Sequence, residues 1–233
     1  MSTVWSACER TEKKINQQLR PNENRRQMQK RETQSRIIET ALKLFAENGF
    51  ARTSTLAVAK EAKVSHGTIF AHFKTQEELL IAAISEFGDR INKRLHELAG
   101  GRNGLEEVLK AHLEGLAEFE EFYIRLVTEI RLLPVEVRDT FTIIQSAVSF
   151  HISQAYEREE VSLKKLPVHM VFNGWIGLLH YYLGNNDLFS PGQSVLGRYG
   201  EELADYYIKL ISRDSDNHIT GNLNSLKGRE DIL

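Results

Sequence analysis

The side chains best suited to chemistry lie close together, in a short segment that begins at Ser65. Its outward side, at helical spacing, carries residues that are small or able to hydrogen-bond: His66, Gly67, Thr68, Ala71 and His72. Short side chains of this kind can approach the edges of bases in the major groove of DNA. A plain three-helix packing unit would show the same spacing, and the spacing alone leaves both interpretations open.

Signatures of catalysis and metal binding are missing from the sequence. None of the 8 histidines has a glutamate three positions before it, which excludes the Glu-x-x-His pairs of helical di-iron enzymes. Neither His-Glu-x-x-His nor Gly-x-Ser-x-Gly occurs. Cys8 is the only cysteine, so an intramolecular disulfide and a cysteine-based zinc site are excluded. We expect no enzyme, no metal and no cofactor.

The sequence also predicts the helices that position this segment. Ser54 or Thr55 can begin a helix that runs to about Lys63 with Leu56 facing inward, and Ser65 can begin a second that runs to about His72. An amphipathic helix from Thr33 to Asn48 precedes this pair, and a capping box at residues 75–78 opens a long helix after it. Such a pair on a supporting helix is the geometry that places the second helix in a major groove.

Charge is unevenly distributed along the chain. Residues 1–80 carry 14 basic and 9 acidic side chains, whereas residues 81–233 carry 16 and 23. A basic front and an acidic back indicate that only the front meets a polyanion. Composition and periodicity together predict four regions: a flexible basic arm (1–32), a helix-turn-helix domain (33–80), a larger helical domain (81–213) and a polar tail (214–233).

Every segment after residue 104 has helical period, and no convincing alternation of period two appears. Helices are predicted at about 105–119, 121–133, 135–158, 167–183 and 192–212. Residues 166–186 carry no formal charge but contain polar His169, Asn173 and His180, which favours a buried helix over a membrane span. We therefore predict an all-α protein of two domains. Without an evident export signal, and with one cysteine, we expect it in the cytoplasm.

Residues 36–80 resemble the DNA-binding domain of TetR-type transcriptional regulators. The matching positions follow one another in the family's order: Ala41, Leu44, Phe45, Gly49 and Phe50; Thr53 and Ser54; Val58, Ala59 and Ala62; Val64, Ser65, Gly67, Ile69, Phe70, His72 and Phe73; and Glu77, Glu78, Leu79 and Leu80. The resemblance implies a helix-turn-helix domain followed by a helical domain that binds a small molecule and dimerises. A repressor that a small-molecule effector releases from double-stranded operator DNA is the implied function.

The resemblance also implies a role for individual residues. Ser54, Thr55 and Lys74 would contact phosphates. Ser65, His66, Gly67 and Thr68 would face the bases, while Phe70 and His72 would lie along the groove. For His72, bracing the helix is an equal alternative. Arg25, Arg26, Lys30 and Arg31 either follow the DNA backbone or form a solvated tail.

Three positions depart from the family's usual pattern. Lys63 stands where a turn glycine is common, so we expect a turn conformation that other residues tolerate. Phe70 replaces a frequent tyrosine, and Gln76 replaces a lysine that commonly meets the DNA backbone. These changes keep open a second hypothesis, a helical adaptor or scaffold that has lost DNA binding.

The back of the chain gives weaker signals. Histidines on apolar helix faces and nearby aromatic residues suggest a ligand pocket lined by His112, Phe119, Tyr123, His151, Phe172 and Trp175, although such histidines also occur as ordinary core residues. A stripe of Leu196, Tyr199, Leu203, Tyr206, Tyr207 and Leu210, together with the flat face that Gly174 and Gly177 leave on the preceding helix, predicts a homodimer through the last two helices, about 167–212. Burial of both helices within one protomer is the alternative.

Overall fold

A computed structural model describes residues 21–98, 104–159 and 162–213 of the 233-residue chain. Helix α1 spans Pro21–Asn48 and therefore begins before Thr33, whose hydroxyl donates to the carbonyl of Gln29 instead of capping a helix. Residues 21–32 are thus helical, which corrects the flexible arm predicted there. Their Gln, Arg, Lys and Glu side chains have good helix propensity, and they extend a helix whose later turns are already packed.

The end of α1 agrees with the sequence. Gly49 has a φ of 81°, a left-handed conformation that glycine adopts without steric cost, and its amide donates to the carbonyl of Phe45 at 2.9 Å. The chain then turns into α2 (Thr55–Glu61), for which Ser54 is the cap. Its residue Leu56, expected to face inward, is 60% exposed.

Helix α3 spans His66–His72 with Ser65 as its cap. Between α2 and α3, Lys63 has a φ of 55°, so the turn is left-handed although no glycine occupies it. The lysine thus adopts the conformation for which glycine is usual in this turn. A single left-handed residue costs about 1–2 kcal/mol, which the packing on both sides offsets.

Helix α4 spans Gln76–Leu98 and starts at the predicted capping residue, because the hydroxyl of Thr75 accepts the amide of Glu78 at 3.1 Å. The carboxylate of Glu78 returns to the amide of Lys74 at 2.7 Å, one residue earlier than in a standard capping box. The start of α4 is thereby fastened directly behind α3.

The remaining helices follow the predicted pattern with shifts of a few residues at their ends. They are α5 (Leu105–Ala117), α6 (Glu120–Glu129) with a 3₁₀ turn (Ile130–Leu132), α7 (Val135–Arg158), α8 (Val168–Gly184), the unpredicted short α9 (Asn186–Phe189), and α10 (Val195–Ile211). No β-strand forms in the described ranges, where Leu163 and Ser212 make only an isolated bridge. The all-α fold class is confirmed. Across those same ranges, every helix is too short or too polar to cross a membrane.

One continuous apolar core joins the front helices to the back ones. Aromatic rings mark the junction: Phe50 lies 5.0 Å from Phe45 and 5.6 Å from Phe122, which lies 5.3 Å from Phe87. The front unit is therefore packed directly on α6. The boundary predicted near residue 80 stays a prediction, and residues 1–20 of the arm and 214–233 of the tail lie outside the described residues.

Candidate functional site

Helix α3 presents one face to the core and one to solvent. Ile69 is fully buried and Phe73, just after the helix, is 3% exposed, so these two side chains anchor it. The other side is exposed along its length, at Ser65, His66, Gly67, Phe70 and Ala71. This is the side that the sequence predicts to be outward, and it lies open on a packed platform.

The first turns of α2 and α3 are tied together by a side-chain pair. Nε2 of His66 lies 3.1 Å from the hydroxyl of Thr55, and the His66 ring meets the ring of Phe70 edge-on at 4.8 Å. Two residues predicted for different DNA groups, a phosphate and a base, are thus in contact. Their spacing on the surface is set by this hydrogen bond.

The two capping residues, Ser54 and Ser65, differ in how much hydrogen-bonding capacity they keep for another molecule. The hydroxyl of Ser65 accepts the Thr68 amide at 3.0 Å and lies 2.8 Å from the Thr68 hydroxyl. Ser54 accepts the Ala57 amide at 3.2 Å and keeps its own proton to donate. Exposed Ser54 therefore suits a phosphate oxygen, whereas Ser65 and half-buried Thr68 partly satisfy each other.

Gly67 opens a gap in the middle of the exposed face. A Cβ built there would meet only the hydroxyl of Ser65, at 3.8 Å, and its φ is not positive. Backbone conformation does not require glycine here. What glycine provides is close approach of another molecule to the α3 backbone.

His72, at the end of α3, is half-buried, and its Nδ1 is enclosed with no hydrogen-bond partner among the described residues. Burial, and secondly the positive charge of Lys30, lower the pKa of His72, so its ring is neutral at pH 7. The geometry fits the bracing role better than a charged contact. It also brings Lys30 of α1 close to α3.

Basic side chains surround the exposed face. Arg52, Lys60, Lys63 and Lys74 are all exposed. Gln76, at the position where the family commonly has lysine, donates its amide to the carbonyl of Thr53 at 3.1 Å and so serves the fold. Sequence reasoning missed exposed Leu56 beside this surface, because the helical period alone placed it inward.

The interior of the back region contains two polar pairs. Nε1 of Trp175 donates to Nδ1 of buried His112 at 3.1 Å, and the Tyr123 hydroxyl lies 2.7 Å from Nε2 of His180. A cavity of about 10 Å³ lies beside them, room for about one water molecule. Its lining comes from α4 to α8: Phe87, Ile91, His112, Leu116, Tyr123, Phe141, Ile144, Gln145, Val148 and Ile176.

The structure brings together only part of the predicted pocket. His112 and Tyr123 line the cavity, and Trp175 supports His112 from behind. Phe119, His151 and Phe172 are not among the lining residues. Phe87, Gln145 and His180 were missed, because their approach depends on how separate helices pack. His180 was visible only as a polar residue in an apolar segment.

Burial controls the protonation of the interior histidines. It lowers the pKa of His112 to about 3, with His180 adding a smaller repulsive contribution, and lowers the pKa of His180 to about 4. Both rings are therefore neutral at pH 7 and able to donate through one nitrogen while accepting through the other. Within the described residues, no group of three or more His, Cys, Asp or Glu side chains is placed to hold a metal ion.

The last two long helices use half of the predicted dimer stripe within the protomer. Leu196, Leu203 and Tyr207 are buried, and the Tyr207 hydroxyl donates to the carbonyl of Val171. Their assignment to a contact between protomers is wrong, because α10 needs them to pack on the rest of the chain. The face that stays exposed comprises Met170, Gly177, Tyr181, Tyr206 and Leu210.

Residues 37–83 match the family described as bacterial regulatory proteins, tetR family. The chain is 32% identical over 114 residues to the fatty acid metabolism regulator protein of Bacillus subtilis, covering 47% of this chain and 59% of that one. It is 36% identical over 100 residues to a transcriptional repressor of Mycobacterium tuberculosis, covering 42% and 53%. The first curated relatives are thus matched over only 36–59% of their own lengths.

Solved structures share the fold over more of the chain. The regulator FadR of Bacillus subtilis, solved in complex with stearoyl-CoA, has a TM-score of 0.66 at 21% identity, covering 76% of this chain and 98% of that one. A regulator from Rhodococcus sp. has a TM-score of 0.67 at 19% identity, covering 77% and 98%. Residues 37–83 thus match the tetR family of bacterial regulatory proteins, and about three quarters of the chain shares the fold of these solved regulators.

Proposed function

We propose that the protein is a transcriptional regulator that binds a specific DNA sequence through α3. The observation that carries the proposal is the exposed face of α3 around Gly67, held outward by buried Ile69 and Phe73. A short helix with small and hydrogen-bonding side chains on its free side fits a groove about 12 Å wide. The family's description names regulation and not catalysis, which supports this choice over an enzyme.

The contacts divide into two classes. Ser54, Thr55 and Lys74 lie at the edge of the exposed face and contact phosphates, which fix the position of the protein. Ser65, His66, Gly67 and Thr68 face the bases. Phe70 lies along the groove with its ring against His66, and His72 braces the end of α3.

Two copies of the chain bind one operator. The exposed apolar face of Met170, Tyr181, Tyr206 and Leu210, with open Gly177 between, supports pairing through α8 and α10. A symmetric pair presents two α3 helices to successive major grooves, which lie about 34–36 Å apart.

A small-molecule effector enters the region around the interior cavity and releases the protein from DNA, so the regulator acts as a repressor. Apolar walls with three polar groups (His112, Tyr123 and Gln145) suit a ligand with an apolar body and one hydrogen-bonding end, and Tyr123 is in turn hydrogen-bonded to His180. The cavity of about 10 Å³ must expand to admit it. Since a neighbour in fold was solved with stearoyl-CoA, long-chain acyl-CoA is the first class to test.

A mobility-shift titration tests the proposal. Wild-type protein is mixed with random duplexes, the bound sequence is selected, and its affinity is measured at two salt concentrations with and without stearoyl-CoA. We expect specific, salt-sensitive binding that H66A and T68A each weaken about tenfold without altering the dimer. A chain that selects no sequence would favour the alternative, a helical adaptor. Binding that both variants leave unchanged would show that α3 is not the reading helix.

A further inference from the structure

Helix α6 carries a glutamate at each of its ends, and both side chains accept hydrogen bonds from the backbone. Glu120 and Glu129 are the first and last residues of the helix, so about 14 Å along the helix axis separates them. Each carboxylate accepts backbone amides from a part of the chain far away in sequence. The two ends therefore fasten α6 to two different regions.

Glu129 holds the front unit. Its Oε2 accepts the amide of Phe50 at 2.9 Å, and a Cβ on Gly49 would lie only 2.5 Å from its Oε1. Gly49 is therefore needed for its left-handed φ and for the approach of this carboxylate. One turn earlier on α6, Nε of Arg125 donates to the carbonyl of Ala46 at 3.3 Å. The end of α1 is thus held by two side chains of α6.

Glu120 holds the start of α10. It is only 8% exposed, and its oxygens accept the amides of Val195 at 2.6 Å and Leu196 at 3.2 Å. The Ser194 hydroxyl donates to the same carboxylate at 2.6 Å. A carboxylate at the free amides of a helix start is strongly favoured, so this end of α6 follows α10 rigidly.

The middle of α6 faces the interior. Tyr123 lies between the two glutamates, lines the cavity and contacts His180. An expansion of the cavity that displaces Tyr123 therefore moves a helix whose ends hold α10 and the α3 platform.

We propose that α6 is a strut, with Glu120 and Glu129 as positioning residues that fix the placement of the DNA-binding unit relative to α10. The proposal rests on the proposed function, because α10 belongs to the surface that pairs the two copies. In a dimer the strut sets the distance between the two α3 helices. Half-site binding depends on one unit alone, whereas full-site binding depends on both units being held in register.

The test compares E129A, E129Q and wild type on two duplexes, the selected full operator and a single half-site. E121A is the matched control, because Glu121 is an exposed glutamate on the same helix. For E129A we expect full-operator affinity to fall about tenfold and half-site affinity to stay within about twofold, since the freed unit loses preorganisation. E129Q keeps an acceptor oxygen and should recover most of the affinity, and E121A should match wild type.

Amide exchange gives a second readout. In E129A the Phe50 amide should exchange faster, whereas the amides of Val195 and Leu196 should keep their protection. In E120Q the carboxamide accepts through one oxygen only, so the Val195 and Leu196 amides should exchange faster and full-operator affinity should fall.

An unchanged ratio of full-site to half-site affinity in E129A would overturn the strut. Equal loss of both affinities would show that Glu129 is needed to fold the DNA-binding unit, which also contradicts a positioning role. Wild-type protein that binds neither duplex would instead overturn the proposed function, and with it the strut.

Discussion

The α2–α3 unit and the interior around His112 differ in how their polar groups are satisfied. In the front unit, partners are close in sequence: Ser54 with Ala57, Ser65 with Thr68, Thr75 with Glu78. In the interior they are distant, as with His112 and Trp175 or Tyr123 and His180. The front unit therefore has a locally determined surface, whereas the interior depends on how five helices pack.

The largest effect should come from filling the gap on α3. We expect G67L to reduce operator affinity by roughly a hundredfold, because its side chain occupies the space that the groove wall needs. Leucine also has better helix propensity than glycine, so the melting temperature should stay level or rise. Mobility shift and thermal unfolding measured together check both parts.

A smaller loss for G67A than for G67L would show that size causes the effect. If G67L bound the operator as tightly as wild type, the exposed face of α3 would not be the surface that meets DNA, and the front unit would be only a packing module.

Lowering the pH should reduce the stability of the protein through its buried histidines. The pKa values of His112 and His180, about 3 and about 4, lie below the unfolded value of 6.5. Between pH 6.5 and about 4 the unfolded chain therefore binds more protons than the folded one, so stability falls as pH falls. Each histidine should cost about 2 kcal/mol of unfolding free energy at pH 5 relative to pH 7.

Urea unfolding at both pH values, at one fixed protein concentration, measures this loss. H180Q keeps a hydrogen-bonding side chain at Tyr123 but does not titrate, so its loss should be about 2 kcal/mol smaller than that of wild type. Equal losses of stability in the two proteins would show that burial does not lower the pKa of His180.

The same contrast explains what the sequence could predict. The caps of α2, α3 and α4, the stop at Gly49 and the outward side of α3 follow from residues within about four positions of one another, and the structure has them as expected. The predictions for Leu56 and for the buried half of the α10 stripe were wrong. Helical periodicity shows which residues share a helix face, but it does not show what that face packs against. Glu120 and Glu129 gave no signal, since their partners lie more than 70 positions away.

Loss of the cap of α3 should have a moderate effect on stability. We expect S65A to lower the unfolding free energy by about 1 kcal/mol, because the Thr68 amide loses its acceptor. Thermal unfolding measures the loss, and S54A provides the matched comparison at α2. Because we propose that Ser65 faces the bases, S65A should also lose sequence selectivity that S54A keeps; equal selectivity in the two variants would leave Ser65 as a cap alone.

The smallest effect concerns the turn between the two short helices. Lys63 has a φ of 55°, where an L-residue with a Cβ is strained, so K63G should raise the unfolding free energy by up to about 1 kcal/mol. Lys63 is also exposed beside the DNA-facing surface, and its loss should reduce the salt dependence of operator binding by about one unit of slope for each protomer bound. K63Q separates the two effects, because glutamine is strained in the left-handed conformation as lysine is but carries no charge. If K63G and K63Q both left the salt slope unchanged while only K63G was more stable, the lysine would be only a strained turn residue.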